Sequence, residues 1–202
     1  ENIKIETKNL IIATGAQPKL IPGVDVNNQN IWTAKEAMVP QSLPKSITII
    51  GSGAIGIEFA SFYNDMGSKV TVIEMEDRIL PNEDEEVSEM AKSLFIKRGI
   101  KFLNNSSLVS VDHFKNNVIS KVKINEKIID IKSDKLLVAI GIIGNTENMG
   151  LEKAEIEMVN GHIVTNEKMC TNIPNIYAIG DVTNPPWLAH KASHEGIKCV
   201  EY

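Results

Sequence analysis

SITIIGSGAIGIEFASFYNDMGSKVTVIE, from Ser46 to Glu74, is the stretch that decides the fold. Ser46–Ile50 is a short apolar run of the kind that forms a buried strand. Gly51, Gly53 and Gly56 follow in G-x-G-x-x-G spacing, with Ser52, Ala54 and Ile55 between them. In such a turn the first glycine permits a tight reversal and the second lets a pyrophosphate approach the backbone. The third lets helix and strand pack closely. Ala54–Met66 is predicted to be a helix, with Ile55, Phe59, Phe62 and Tyr63 recurring on one face. Its N-terminus offers unpaired N–H groups and a partial positive charge to phosphates. Lys69–Ile73 is a second strand, ended by Glu74, an acid in position to bind a ribose 2′-hydroxyl. Glycines also serve plain turns. The order of strand, glycines, helix, strand and acid is what marks a dinucleotide-binding unit.

Glu74 also bears on which nicotinamide is bound. A carboxylate there accepts the hydrogen bond of the NAD ribose and repels the 2′-phosphate of NADP, whose sites usually place an Arg nearby. Met75, Glu76 and Asp77 follow, and Arg78 is the only counterweight. The local charge favours NAD.

With 202 residues the chain is long enough for one large domain or two small ones. A net charge of −5 argues against a nucleic-acid surface or an anionic membrane surface as partner. No apolar run approaches a membrane span, and no signal peptide is expected. Cys170 and Cys199 match neither a metal cluster nor a CxxC redox motif, so reduced thiols in a cytoplasmic protein are expected.

Upstream of the glycine unit, Glu1–Glu6 alternates like a sheet strand. Lys8–Ala13 reads as a buried strand running into Thr14-Gly15-Ala16. Pro18, Pro22 and Gly23 start an irregular segment, and Pro40 and Pro44 mark a connector, which sets a domain boundary near Leu43. Downstream, Glu83–Lys97 is predicted to be an amphipathic helix with Val87, Met90, Leu94 and Phe95 inward and its acids in the first turn. Ile100–Leu103 is another strand. Leu108–Asp112, Val118–Ile124 and Lys127–Ile131 alternate like an antiparallel meander, and Lys135–Ile140 is a buried return strand ending at Gly141. Gly161–Thr165 and Asn175–Ile179 read as further strands, and Leu188–Tyr202 as a helix after Pro185-Pro186. The expected fold class is α/β: a Rossmann-like, three-layer domain with an antiparallel meander.

IIATGAQP, the glycine unit, LLVAIGIIGNTENMGLE and IYAIGDVTNPPWLAHKASHEG stand in an order that resembles the flavin-dependent pyridine nucleotide–disulfide oxidoreductases. The PPWLAHKASHEG run is similar to the branch that oxidises protein-bound dihydrolipoyl groups in 2-oxo acid dehydrogenase complexes. Ile142-Ile143-Gly144 departs from the family, many of whose members carry two arginines and a proline there.

The resemblance implies two cofactors, NAD and FAD, and three segments: 1–43 as part of an FAD-binding domain, 44–145 as the NAD-binding domain, and 146–202 as the FAD domain's return segment. Thr14, Gly15 and Ala16 match a flavin contact. Gly51, Ser52, Gly53, Ala54, Ile55, Gly56, Ile57 and Glu58, with Glu74, Leu108 and Gly141, match NAD contacts. Asp181 matches the acid that binds the flavin's ribityl and phosphate region. Trp187, Leu188, Ala189 and His190 match the segment leading a helix N-terminus toward the isoalloxazine ring, where it stabilises a reduced flavin's negative charge. His190 and His194 stand at i, i+4, but without a third ligand no metal is expected. No catalytic residue is expected within the chain. The family's redox cysteines belong before Glu1 and its histidine–glutamate pair beyond Tyr202, so the chain reads as the middle of a homodimeric NAD-linked enzyme whose partner is a lipoyl domain. The alternatives are another flavin disulfide reductase, of mercuric reductase type, or a stand-alone dinucleotide-binding module without redox activity.

Overall fold

Ser46–Ile50 lies in the middle of a parallel sheet, and its last four residues are buried, as a strand covered on both faces must be. The computed structural model describes residues 3–26 and 29–201. In chain order the elements are β1 (Leu10–Ile12), β2 (Ala16–Pro18), β3 (Ile31–Trp32), α1 (Ala34–Met38), β4 (Ser46–Ile50), α2 (Ala54–Asp65), β5 (Lys69–Ile73), α3 (Glu85–Lys97) and β6 (Lys101–Leu103). There follow β7 (Ser106–His113), β8 (Val118–Ile124), β9 (Lys127–Ser133), β10 (Lys135–Val138), β11 (Ile142–Gly144), β12 (Met158–Val159), β13 (His162–Ile163), β14 (Ile176–Ala178) and α4 (Ala189–Glu201). Among the described residues no helix is long and apolar enough to cross a membrane.

The chain divides into two units, Pro18–Gly141 and the pair of segments Glu1–Gln17 and Ile142–Tyr202. In Pro18–Gly141 the strands β3-β10-β4-β5-β6 form a parallel sheet. Successive side chains of a strand point to opposite faces. Ile47, Ile49, Val70, Val72 and Leu137 therefore meet Ala60 and Tyr63 of α2 on one side. Ile50, Ile73, Leu136 and Val138 meet Val118 and Val122 of β8 on the other. There β7-β8-β9 form the expected antiparallel meander. Helix, sheet and meander give the three-layer, Rossmann-like arrangement.

In the other unit β1 pairs in parallel with β14, from Leu10 opposite Ile176 to Ile12 opposite Ala178. β2 pairs with β11, and β12 with β13. Ile12, Leu151, Ile156, Ile163, Ala178 and Val182 form its core.

Four expectations need correcting. The units part at Gln17/Pro18 and Gly141/Ile142, not near Leu43 and Asn145. The reason is that β3 completes the sheet edge beside β10, and Trp32 and Ala37 enter its core. Secondly, α3 buries a different face. Ser88 is buried and its hydroxyl donates to the Leu80 carbonyl, with Phe95 partly buried a further two turns along, while Val87, Met90 and Leu94 are exposed. Thirdly, on α2 Tyr63 is buried and Ile55 and Phe59 pack against the same core, as expected, but Gly56, Ile57 and Ala60 also turn inward and Phe62 is left half exposed. Lastly, Ile3–Glu6 form no strand: Ile3 and Ile5 are exposed, and no described strand lies beside them. Glu1 and Asn2, with Tyr202 at the end of the predicted last helix, lie outside the described residues.

Neighbouring aromatics on α2 thus have unequal roles. Tyr63 is fully buried and its hydroxyl donates to the Ala37 carbonyl at 2.7 Å, tying α1 to α2. Tyr63→Phe strands that carbonyl and should cost about 1–3 kcal/mol. Phe62→Ala should cost about 0.5 kcal/mol or less, as surface changes do. Urea unfolding of the two variants checks this, and equal losses would contradict the packing described.

Candidate functional site: a glycine turn and its acid, and a second polar constellation

At the C-terminal end of β4 the chain reverses at Gly51, whose φ of +98° excludes ordinary side chains. A Cβ there would lie 2.4 Å from the Ala139 carbonyl oxygen. A Cβ on Gly56 would lie 2.1 Å from the Gly51 oxygen, so α2 sits against the strand exit as closely as backbones allow. Gly53 differs: nothing lies within 4 Å of the place its Cβ would take. It is the N-cap of α2 and supplies no side chain to cap the helix. Two glycines thus close the turn, and the third leaves open backbone with helix N–H groups behind it. That cradle fits a pyrophosphate.

Glu74, at the end of β5, is nearly buried. Its Oε2 accepts from the Ser52 backbone N–H at 2.7 Å and from the Ser52 hydroxyl at 2.6 Å. Its Oε1 accepts from the Glu76 N–H at 3.0 Å. Ser52 is itself fully buried, and its carbonyl accepts from Leu80 N–H at 2.9 Å. Beyond Glu74, Glu76, Asp77, Glu85 and Glu89 line a cavity of about 450 Å³ with only Arg78 and Lys92 as cations. The Arg78 guanidinium donates to the Pro81 carbonyl at 3.1 Å. The balance at this end is acidic.

Of the residues expected to meet NAD, Gly51–Glu58, Glu74 and Gly141 stand at the C-terminal ends of β4, β5 and β10. Glu58 is exposed on α2. Leu108 lies on β7 and packs toward the meander core, two residues past Ser106, whose N–H donates to the Glu74 carbonyl at 2.8 Å.

The other unit carries the residues expected to meet flavin. Asn145, not singled out from the sequence, clamps Thr14 and Gly15. Its N–H donates to the Gly15 carbonyl at 2.9 Å, its Nδ2 to the Thr14 carbonyl at 2.9 Å, and its carbonyl accepts from the Thr14 hydroxyl at 2.8 Å. Ala16 begins β2. Asp181 sits in a single tight turn, Gly180–Val182. Glu195 holds that turn by accepting from Gly180 N–H at 2.8 Å, while its other oxygen pairs with Lys191 at 2.8 Å. Lys191 also donates to the Asn184 carbonyl at 3.0 Å. Trp187 donates to the Thr183 carbonyl at 2.9 Å and stacks on the buried His162, ring centres 4.8 Å apart. His162 Nδ1 lies 3.1 Å from the Asp181 carbonyl oxygen. Leu188, Ala189 and His190 are exposed at the start of α4. His194 is also exposed, and among the described residues no three acidic, His or Cys side chains gather as a metal site.

Residues 1–196 match the pyridine nucleotide-disulphide oxidoreductase family. The chain belongs to that family. Among curated relatives it is similar to a dihydrolipoyl dehydrogenase of Rhizobium etli, 44% identical over 100% of this chain and 43% of the relative. It is similar to that of Bacillus subtilis, 42% identical over 100% of this chain and 43% of the relative. The chain therefore spans less than half the length of these relatives. Among solved structures it resembles a mutant of the flavoprotein disulfide reductase RclA from Escherichia coli, as a Cu(II) complex. The TM-score is 0.89 at 26% identity, over 100% of this chain and 45% of that one. LpdA from Mycobacterium tuberculosis gives 0.84 at 28% identity, over 93% and 40%.

In this disulphide oxidoreductase chain both cysteines are free. Cys199 is buried, and that burial, reinforced by the charge of Cys170, pushes its thiol pKa up. Only the thiolate is nucleophilic. Cys170 should therefore react first with iodoacetamide near pH 8, and Cys199 should catch up only as the pH rises well past the ordinary thiol range. Mass spectrometry of the labelled chain checks the order, and Cys199 reacting first would contradict its burial.

Proposed function

We propose that this chain carries the NAD-binding region, and part of the FAD-binding region, of a dihydrolipoyl dehydrogenase. The observation that carries the reading is the pairing of an open glycine turn with a buried, fixed acid: Gly53 bare of neighbours, and Glu74 held beside it by Ser52. The turn and the α2 N-terminus would hold the pyrophosphate of NAD, and the Glu74 carboxylate the adenosine ribose. In the other unit the Asn145-clamped Thr14–Ala16 turn and Asp181 would contact FAD, and Trp187–His190 would lead α4 toward its ring.

The parent would oxidise a protein-bound dihydrolipoyl dithiol, two electrons leaving the sulfurs as the lipoyl disulfide forms. FAD, when bound, would relay those electrons to NAD as hydride. The redox cysteines and the histidine–glutamate pair of that reaction would lie outside this chain. Its partner would be the lipoyl domain of a 2-oxo acid dehydrogenase complex, and the parent a cytoplasmic homodimer. A different flavin disulfide reductase is the second reading, supported by the likeness to RclA. The identity of 44% to a dihydrolipoyl dehydrogenase against 26% to RclA favours the first.

The chain should bind NADH at least about tenfold more tightly than NADPH, a difference of about 1.4 kcal/mol. Glu74→Ala should narrow that gap from both sides, by losing the ribose acceptor and by removing the charge that opposes a 2′-phosphate. Fluorescence titration with the two reduced nucleotides tests this, and equal affinities in the unmodified chain would sink the assignment.

A further inference from the structure

We infer that Ser52 is a positioning residue for nicotinamide selection, fixing Glu74 so that a single acceptor site faces the adenosine ribose. The inference rests on the NAD reading of Glu74 and goes beyond it, because the glycine motif leaves the second position open to any residue.

A carboxylate offers about four lone-pair sites to donors. Three are filled here, two on Oε2 by the Ser52 N–H and hydroxyl and one on Oε1 by the Glu76 N–H. All three donors are neutral, so no bonded cation offsets the charge of the carboxylate. One site on Oε1 is left, the complement of one ribose hydroxyl. The two bonds from a single residue also stop the carboxylate from turning. A 2′-phosphate brought to this place meets an anion that cannot swing aside.

Ser52 is well placed to impose this. It is fully buried, and its carbonyl is held by Leu80 N–H. It lies between Gly51 and Gly53, so the residue that orients the ribose acid belongs to the turn proposed to receive the pyrophosphate. An alanine at this position would keep the Ser52 and Glu76 N–H bonds but lose the hydroxyl, leaving Oε2 with one donor and the carboxylate less firmly held.

The test is fluorescence titration of the chain and its Ser52→Ala, Ser52→Cys and Glu74→Ala variants with NADH, NADPH and an NADH analogue lacking the adenosine 2′-hydroxyl. Ser52→Ala should weaken NADH binding about tenfold, the scale of one hydrogen bond to a charged group. Binding of the 2′-deoxy analogue should stay as in the unmodified chain, and the ratio of NADH to NADPH affinity should shrink. Ser52→Cys, close in size but a weak donor, should fall between, and it carries the comparison if the alanine variant does not fold. Adding Ser52→Ala to Glu74→Ala should cost nothing more. Because two nucleotides are compared on one protein, a general loss of stability cannot imitate the result. Equal losses for NADH and the 2′-deoxy analogue would overturn the inference, since Ser52 would then only shape the turn. So would an unchanged Ser52→Ala beside a weakened Glu74→Ala, with the NAD reading intact. If Glu74→Ala binds NADH as the unmodified chain does, the NAD reading itself fails and the inference with it.

Discussion

Two absent Cβ atoms set the geometry on which Pro18–Gly141 depends. With side chains at Gly51 and Gly56, atoms would stand 2.4 Å from the Ala139 oxygen and 2.1 Å from the Gly51 oxygen. Without them, the exit of β4, the first turn of α2 and the residue after β10 converge with backbone against backbone. That convergence lets Ile57 and Ala60 of α2 be buried at 6% and 0% exposure, and it aims Ser52 at the end of β5. The layer packing and the polar geometry of the turn share one steric cause.

Where burial is symmetrical, the sequence is a good guide. Ser46–Ile50 and Lys69–Ile73 appear as strands at the bounds read from their apolar runs, because a strand covered on both faces needs apolar residues throughout. Asymmetric burial is harder to read. Along α3 the stripe Val87, Met90, Leu94 has helical spacing, yet Ser88 takes the inward position because its hydroxyl finds the Leu80 carbonyl. Periodicity shows that a face is apolar, not that a partner covers it. Prolines misled in a similar way. Pro40 and Pro44 mark a connector, but the break between units comes earlier, since β3 and α1 pack with the sheet. A local signal for α1 was there to be read in Thr33-x-x-Glu36, whose capping box is formed, the Thr33 N–H donating to Glu36 at 2.8 Å.

The polar constellations divide along similar lines. Gly51, Gly53, Gly56 and Glu74 lie within one strand–helix–strand unit, and their spacing carries their arrangement. Asn145 holding Thr14 and Gly15, and His162 stacking on Trp187, join segments far apart in the chain. Glu195 reaches back to Gly180 from α4, and no periodic pattern announces it. In each case a polar group meets a distant backbone or ring, and such pairings become visible only when the chain is folded.

The pairing of Leu10 with Ile176 joins strands from opposite ends of the chain, with all of Pro18–Gly141 between them. Bringing such distant partners together costs loop-closure entropy, which grows slowly with the length of free chain enclosed. A folded insert shortens the free chain enclosed, because its two ends are held together: the Lys19 N–H donates to the Gly141 carbonyl at 2.9 Å. Strands β4, β5 and β6 of the inserted sheet are near neighbours in sequence, which favours their pairing before the distant β1 and β14 meet. Until β14 is made, the backbone groups of β1 stand without that partner, and an unpaired strand edge is open to mispairing with other strands.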